Sequence, residues 1–239
     1  MNAIACRLQN LALAGVDRVL ALPSRRCPCC GWTGFRFRSF AVVEYLRRDA
    51  ICPRCGAFER HRALASFYRR FFDAFGRRPG RLIHLAPEPC LKPTLAAVCD
   101  RYETSSLDDR SDVDHHLDLN GLSLPDRSCD VLAMNHVLDC LPDDSTAIRE
   151  MFRVLRPGGA VLAVVTYQPD GATREMPVAS NTRYRVYGPG DLQRRFAPFR
   201  VTVDDAARGM DERARRLESI PETVPVLILR KPEESGRPS

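Results

Sequence analysis

Lysine is almost missing from this chain: Lys92 and Lys231 are the only two, so 34 of the 36 basic residues are arginine. Tryptophan occurs once, at Trp32. No stretch approaches the roughly 20 uninterrupted apolar residues of a spanning helix. The longest apolar runs sit at Ala160–Val165 and Val224–Leu229, so no membrane partner is expected. The apolar opening segment is interrupted by Arg7, Asp17 and Arg18, which argues against a signal peptide and makes a cytoplasmic location the expectation. Disorder is excluded by composition, because 44% of the 239 residues are hydrophobic. Nothing in the sequence sets an oligomeric state.

What is present is unevenly placed. Residues 1–80 hold 15 arginines against five acids, a local charge of +10, while the whole chain carries +6. A basic front on a mildly acidic body suits an anionic partner, a nucleotide or RNA, or else forms a solvated arginine face. Ten cysteines are also present, and their spacing is uneven too. Cys27-Pro28-Cys29-Cys30-Gly31 and Cys52-Pro53-Arg54-Cys55-Gly56 share the form C-P-x-C-G. Each such knuckle turns the chain so that two thiolates face one ion, with glycine permitting the turn. Two knuckles supply four sulfurs, the closed tetrahedral set of structural zinc. Cys29 competes with Cys30 as a ligand, but the following glycine and the match to the second knuckle favour Cys27, Cys30, Cys52 and Cys55. Between the knuckles, Trp32–Ile51 alternates in places and predicts a short hairpin, so the whole resembles a zinc ribbon. Four protein ligands leave no open position, so this metal is expected to organise structure. Cys6, Cys90, Cys99, Cys129 and Cys140 lack partner spacing and read as packing residues.

Ala3–Leu20 reads as an amphipathic helix. A second apolar stripe at helical spacing, Phe58, Leu64, Tyr68, Phe71, Phe72 and Phe75, ends at Gly76 and Pro79-Gly80. Glu59-Arg60-His61-Arg62 opens it, where a helix amino end and two arginines would hold an anion, or His61 would add a metal ligand. From Arg81 the pattern changes to alternating strands and helices. Strands are predicted at Leu82–Leu85, Tyr102–Ser106, Val113–Leu117, Cys129–Met134, Ala160–Val165, Phe199–Val203 and Val224–Leu229. Helices are predicted at Leu91–Cys99, Ser145–Leu155 and Asp191–Phe196, with Arg156-Pro157-Gly158-Gly159 stopping the second. That alternation predicts an α/β, doubly wound and mostly parallel sheet, whose ligand lies beyond the strands' carboxyl ends. Three divisions are expected: residues 1–78 for the first helix, ribbon and connecting helix; 79–232 for the sheet; and 233–239 for a disordered tail.

The run Leu124–Leu132, reading L-P-D-R-S-C-D-V-L, is followed by Asn135-His136-Val137-Leu138-Asp139 and by Met151–Gly159, reading M-F-R-V-L-R-P-G-G. Over residues 81–204 this order resembles the class I S-adenosylmethionine-dependent methyltransferases of the type 11-like kind. Leu82–Glu88 and the two knuckles resemble a bacterial subgroup that carries an amino-terminal C-P-x-C-G ribbon. The resemblance implies a Rossmann-like sheet and S-adenosyl-L-methionine as cofactor. It also departs from the family. The loop after the first strand, Ala86-Pro87-Glu88-Pro89, has no glycine where the family has a glycine-rich turn. Glu88 is then the group expected to meet the cofactor's ammonium. The ribose acid aligns with Ser106, and Asp108, 22 residues beyond Ala86, is the nearest acid at the usual offset of about 20. Asp118-Leu119 matches the pair that holds the adenine edge, and Asn135 follows the strand near the cofactor's reactive end.

Methyl transfer from a sulfonium needs an acceptor aligned behind the methyl group, and positioning supplies much of the rate. An O–H or N–H⁺ acceptor also needs a base, and His136 is the candidate, with a packing or capping role as its rival. His84 reads as structural, and at most one of His115 and His116 should face the cleft. The polar stretch Tyr167–Pro189 suits a substrate-covering loop, with Arg183, Tyr184, Arg185 and Tyr187 able to clamp an acceptor or coat the surface. The reading is a methyltransferase with structural zinc and a small-molecule acceptor, a sugar or natural-product intermediate. Its rivals are an RNA methyltransferase gripping phosphate with the basic front, a non-catalytic binding protein, and a protein using the cofactor for another reaction.

Overall fold

The computed structural model describes residues 24–41, 46–108, 111–176 and 183–234. The helix expected over Ala3–Leu20 and residues 235–239 of the expected tail lie outside these. The chain forms two compact units, one of residues 1–74, 88–94 and 206–224, the other of residues 75–87, 95–205 and 225–239. Among the described residues no helix is long and apolar enough to cross a membrane.

The first unit contains the ribbon. Two short antiparallel pairs carry it: β1 (Arg25–Arg26) with β2 (Thr33–Gly34), and β3 (Arg38–Ala41) with β4 (Leu46–Ile51). Helix α1 (Glu59–Asp73) follows the second knuckle and buries Leu64, Tyr68, Phe71 and Phe72 of the predicted stripe, together with Phe67. His61 completes the helix start, its Nδ1 accepting the Phe58 N–H at 3.3 Å. Arg62 is fully buried and donates to the carbonyls of Asp49, Ala50, Ala57, Glu218 and Ser219. Its guanidinium also lies 4.0 Å from the centre of the Phe37 ring. Those bonds consume it, which corrects the expectation that Arg62 helps hold an anion at the helix start. A buried guanidinium must pair its donors, and here the backbone supplies all the acceptors.

The second unit is built on a six-stranded sheet. In chain order its strands are β5 (Arg81–Leu85), β6 (Arg101–Ser105), β7 (Cys129–Asn135), β8 (Leu155–Val164), β11 (Arg200–Asp205) and β12 (Pro225–Arg230). Across the sheet they run β11-β12-β8-β7-β5-β6. β5 to β8 are mutually parallel, and β12 is antiparallel to both neighbours. All seven residues of β7 are buried, as a central parallel strand covered on both faces requires. Between β7 and β8, α3 (Ser145–Val154) buries Ala147, Ile148, Met151 and Val154, spaced to put one face on the core. Fully burying each large apolar side chain there is worth about 1.5–3 kcal/mol. A small β9 (Arg174–Glu175) and β10 (Arg185–Val186) pair antiparallel. Among the described residues the other helices are α2 (Lys92–Ala97), α4 (Leu192–Arg195) and α5 (Glu212–Glu218), with a 3-10 turn at Leu138–Cys140.

Two expectations change. Val113–Leu117 is not a strand: only one bridge, Ser105 to His115, joins it to the sheet's edge. Three backbone bonds, from Asp114 N and His115 N to Thr104 O and from Ser106 N to His115 O, are supplemented by side chains: Asp114 accepts from the Thr104 N–H and hydroxyl, and Ser105 Oγ accepts from Leu117 N. The helix ends at Val154, just ahead of Arg156-Pro157-Gly158-Gly159 as expected, but the strand starts at Leu155 and not at Ala160, so those four residues belong to β8. The extra residues are taken up as a bulge opposite β7, between the pairs Cys129–Leu155 and Val131–Ala160. Glycine is needed there, because a Cβ on Gly159 would lie 2.8 Å from the carbonyl oxygens of both Arg156 and Asp130.

Candidate functional site

The four knuckle cysteines converge as their spacing predicts. Both knuckles close by the same bonds: Gly31 N to Cys27 O at 2.8 Å, and Gly56 N to Cys52 O at 3.0 Å. Both glycines take left-handed backbone, at φ 71° and 73°. The sulfurs of Cys27, Cys30, Cys52 and Cys55 lie within 4.8 Å of one another, with Cys27–Cys55 and Cys30–Cys52 at 3.7 Å. A tetrahedron with Zn–S bonds of about 2.3 Å has edges of about 3.8 Å, so the cluster is of the zinc-binding type. Cys29 is not part of it, since its thiol points to the carbonyl of His61 at 3.5 Å. Hydrogen bonds from Cys29 and Cys52 pull the Cys27 thiol down, while burial pushes Cys55 up to about 12. Four thiolates in one place need a cation, which is what binding would supply.

The second unit holds a cleft at the carboxyl ends of β5 and β6, where the topology switches toward β7. Leu85, Ala86, Ser105, Leu107, Leu117, Asp118, Leu119, Val137 and Leu141 line a cavity of about 80 Å³. Ala86, Asp118 and Leu119 are thus brought together. Ser106 and Asp108 flank Leu107 but do not line the cavity; Ser106 Oγ instead accepts from Asp108 N at 3.3 Å. Asp118 is exposed, and its Oδ1 accepts from the backbone and side chain of Asn120. Leu107, 73% exposed, is an apolar side chain on the cavity wall that a flat ring would cover. The lining chemistry, apolar walls beside a carboxylate acceptor, suits part of a nucleoside, a purine face or a hydroxyl, in a cavity of about 80 Å³. Glu88 belongs to the other unit, where its Oε1 lies 3.7 Å from His61 Nε2.

Ala86 and His136 follow the adjacent strands β5 and β7, and both take left-handed backbone, at φ 49° and 54°. For a residue with a Cβ this costs about 1–2 kcal/mol. The backbone at each is pinned, Ala86 N to Ser105 O at 2.8 Å and His136 N to Val164 O at 2.7 Å. Ala86 therefore makes the sharp turn that glycine makes elsewhere in such loops.

His136 Nδ1 lies 3.3 Å from Asp139 Oδ2, and Asp139 is fully buried. The same oxygen accepts from Thr166 N at 3.0 Å and Thr166 Oγ1 at 2.5 Å, with Arg183 Nε at 3.8 Å. Burial pushes the Asp139 carboxyl up, but hydrogen bonds from His136 and Thr166 outweigh it and hold it below the ordinary range. Asp139 was not singled out in the sequence, although its i+3 spacing from His136 was a signal. Asn135, last in β7, is 7% exposed. Of the loop residues, Arg185 is buried and donates to Leu138 O, Leu141 O and Pro142 O, and buried Tyr187 donates to Asp144 Oδ2 at 2.8 Å. These two shape the segment after β7 and are not free to clamp an acceptor. His84 is buried with its Nδ1 2.9 Å from the Tyr102 hydroxyl. His115 Nε2 sits 3.3 Å from Glu103, and His116 Nδ1 lies 3.1 Å from Asp108 O.

Residues 93–163 match the family model described as a methyltransferase domain. No match to a curated protein was found. Among solved structures, the YcgJ protein of Bacillus subtilis shares 13% identity, with 70% of this chain and 98% of that one covered at a TM-score of 0.46. An S-adenosylmethionine-dependent methyltransferase of Mesorhizobium loti shares 14%, covering 71% and 100%, at 0.46. The [4+2]-cyclase SpnF shares 18%, covering 69% and 80%, at 0.47. The match marks residues 93–163 as similar to a methyltransferase domain.

Proposed function

We propose that this methyltransferase domain binds its cofactor in the cleft beyond β5 and β6, and that His136 removes the acceptor's proton. The observation that carries the reading is the buried Asp139 carboxylate behind His136 Nδ1. An ionised carboxylate can only accept, so the ring's proton sits on Nδ1 and leaves Nε2 as the bare base. Bound cofactor supplies an electrophilic methyl group. The chain's own residues do the rest. Leu107 and Leu119 cover the purine, Asp118 accepts from its polar edge or the ribose, and His136 Nε2 takes the proton that the acceptor loses. Ser106, Asp108, Asn135 and Glu88 complete the candidate cofactor residues. Zinc at Cys27, Cys30, Cys52 and Cys55 is proposed as structural, because four sulfurs fill its shell.

A small-molecule acceptor is preferred to RNA because four of the fifteen arginines of the basic front are engaged internally. Arg25 pairs with Asp49, Arg26 with Glu218, and Arg47 with Glu59, while Arg62 is buried. Phe37 is fully buried and Trp32 packs on it at 5.3 Å, so neither offers a free stacking face. Calorimetric titration of S-adenosylhomocysteine into zinc-loaded protein tests the cofactor site. Micromolar binding that weakens about tenfold or more in Asp118→Ala is expected; no binding at millimolar ligand overturns the reading. RNA affinity that falls steeply with salt would restore the RNA reading.

A further inference from the structure

Arg183 differs from its neighbour Arg185 in what its guanidinium does. Arg185 spends its donors on the carbonyls of Leu138, Leu141 and Pro142. The Arg183 side chain is 48% exposed, and among the described residues it makes no hydrogen bond. Its charge contact is Asp139 Oδ2, 3.8 Å from Nε and beyond hydrogen-bond reach. That oxygen already takes His136 Nδ1, Thr166 N and Thr166 Oγ1. The other oxygen of this buried carboxylate, Oδ1, has no hydrogen-bond partner among the described residues. Asp139 thus draws Arg183 in by charge alone, and the guanidinium's fork of N–H groups stays open to a second anion. The chain at this point is anchored, because the next residue, Tyr184, donates its N–H to Asp139 O at 2.8 Å. His136, on the same carboxylate, keeps 28% of its side chain exposed. One buried carboxylate therefore presents a base and an unengaged cation side by side.

We propose that the methyl acceptor is an anion, with a carboxylate or phosphate beside the O–H or N–H that loses its proton, and that Arg183 selects it. The inference rests on the reading of His136 as the base. His136 Nδ1 and Arg183 Nε lie 3.3 and 3.8 Å from one oxygen, so a small acceptor spans from the guanidinium to the imidazole. Charge favours the same acceptor. Once His136 holds the proton, it is an imidazolium beside Arg183, and two cations share one carboxylate. An anionic group docked on Arg183 balances the second cation, so the acceptor assists its own deprotonation. A guanidinium also meets carboxylate or phosphate through parallel N–H···O bonds, which fix the acceptor's direction as well as its charge. A neutral acceptor gains neither.

The test follows the His136 ring by NMR in the zinc-loaded full chain, at fixed pH and ionic strength, with inorganic phosphate or acetate replacing chloride. His136 is assigned from a His136→Gln spectrum, and the ring of buried His84 reports that the fold is intact. The His136 resonance should move saturably with at least one of the two anions, and the one acting at lower concentration identifies the acceptor's group. In Arg183→Gln the midpoint should rise about tenfold or more, with Arg183→Lys in between. S-adenosylhomocysteine is titrated into the same samples. Intact cofactor binding with a His136 resonance that ignores both anions overturns this inference alone, whereas absent cofactor binding overturns the reading beneath it. A midpoint unchanged in Arg183→Gln, with His84 in place, also overturns it, since a purely structural Arg183 would leave the anion response as it was.

Discussion

The two units hold themselves together by different means. The sheet unit rests on one continuous apolar core, from Ile83 and Leu85 through Cys129, Leu132 and Met134 of β7 to Leu227 and Leu229. In the ribbon unit the four strands are two to six residues long, and its knuckles close through glycine turns and sulfur. Short pairs of this kind cannot bury enough surface to be stable alone, so a metal and a few buried polar staples substitute for area. Arg62 is the clearest staple, with five carbonyls on one guanidinium. A core made of many small contacts degrades gradually, whereas a fold held at one ion and one arginine fails at those points.

Removing the ion should break this contrast most sharply. Structural zinc in small folds contributes on the order of 10 kcal/mol, so chelation should expose the amides of residues 24–58 to hydrogen exchange while β5–β8 stay protected. Equal protection of the ribbon with and without metal would sink that account. Next comes Arg62→Ala, which leaves five carbonyls without their donor and should cost about 3–5 kcal/mol. Trp32, packed on Phe37, is a local fluorescence reporter for its urea midpoint. A midpoint unchanged from wild type would mean that water replaces the guanidinium at no cost. Third, Leu132→Ala, at a fully buried site in β7, should lower stability by about 3 kcal/mol without changing zinc content.

The smallest effect belongs to Asp139. Its folded pKa lies below the unfolded value, so its stabilisation is fully present above the ordinary carboxylate range near pH 4 and is lost as pH falls through the folded value. Asp139→Asn should therefore differ from wild type by on the order of 1 kcal/mol or more at pH 7, and the gap should shrink below about pH 4. A gap independent of pH would show that the amide and carboxylate differ only in packing.

Much of this was legible in the residues. The alternating sheet, the α1 stripe and the ligand set follow from periodicity and from C-P-x-C-G spacing, which are local signals. Val113–Leu117 was misread because two apolar residues among Asp112, Asp114, His115 and His116 mimic alternation, while only three backbone bonds and the side chains of Thr104 and Ser105 tie the segment to β6. Arg156–Gly159 marked the helix end but concealed the strand start, because a bulge opposite β7 absorbed P-G-G into β8. Arg62 read as an anion-holding group and Arg185 and Tyr187 as groups that clamp an acceptor or coat the surface, yet each is buried with its polar atoms paired, and such burial depends on partners far away in the chain.

By itself, the sequence determined the fold class, the four sulfurs and the turn after β5, because each is written in residues close together or in a repeated period. Tertiary structure alone decided which neighbours meet. It set Cys29 apart from the zinc cluster and beside His61, placed Leu107 on the cleft wall, and put a buried carboxylate behind His136. Those pairings depend on how distant segments pack, and packing is a property of the whole core that no local spacing records.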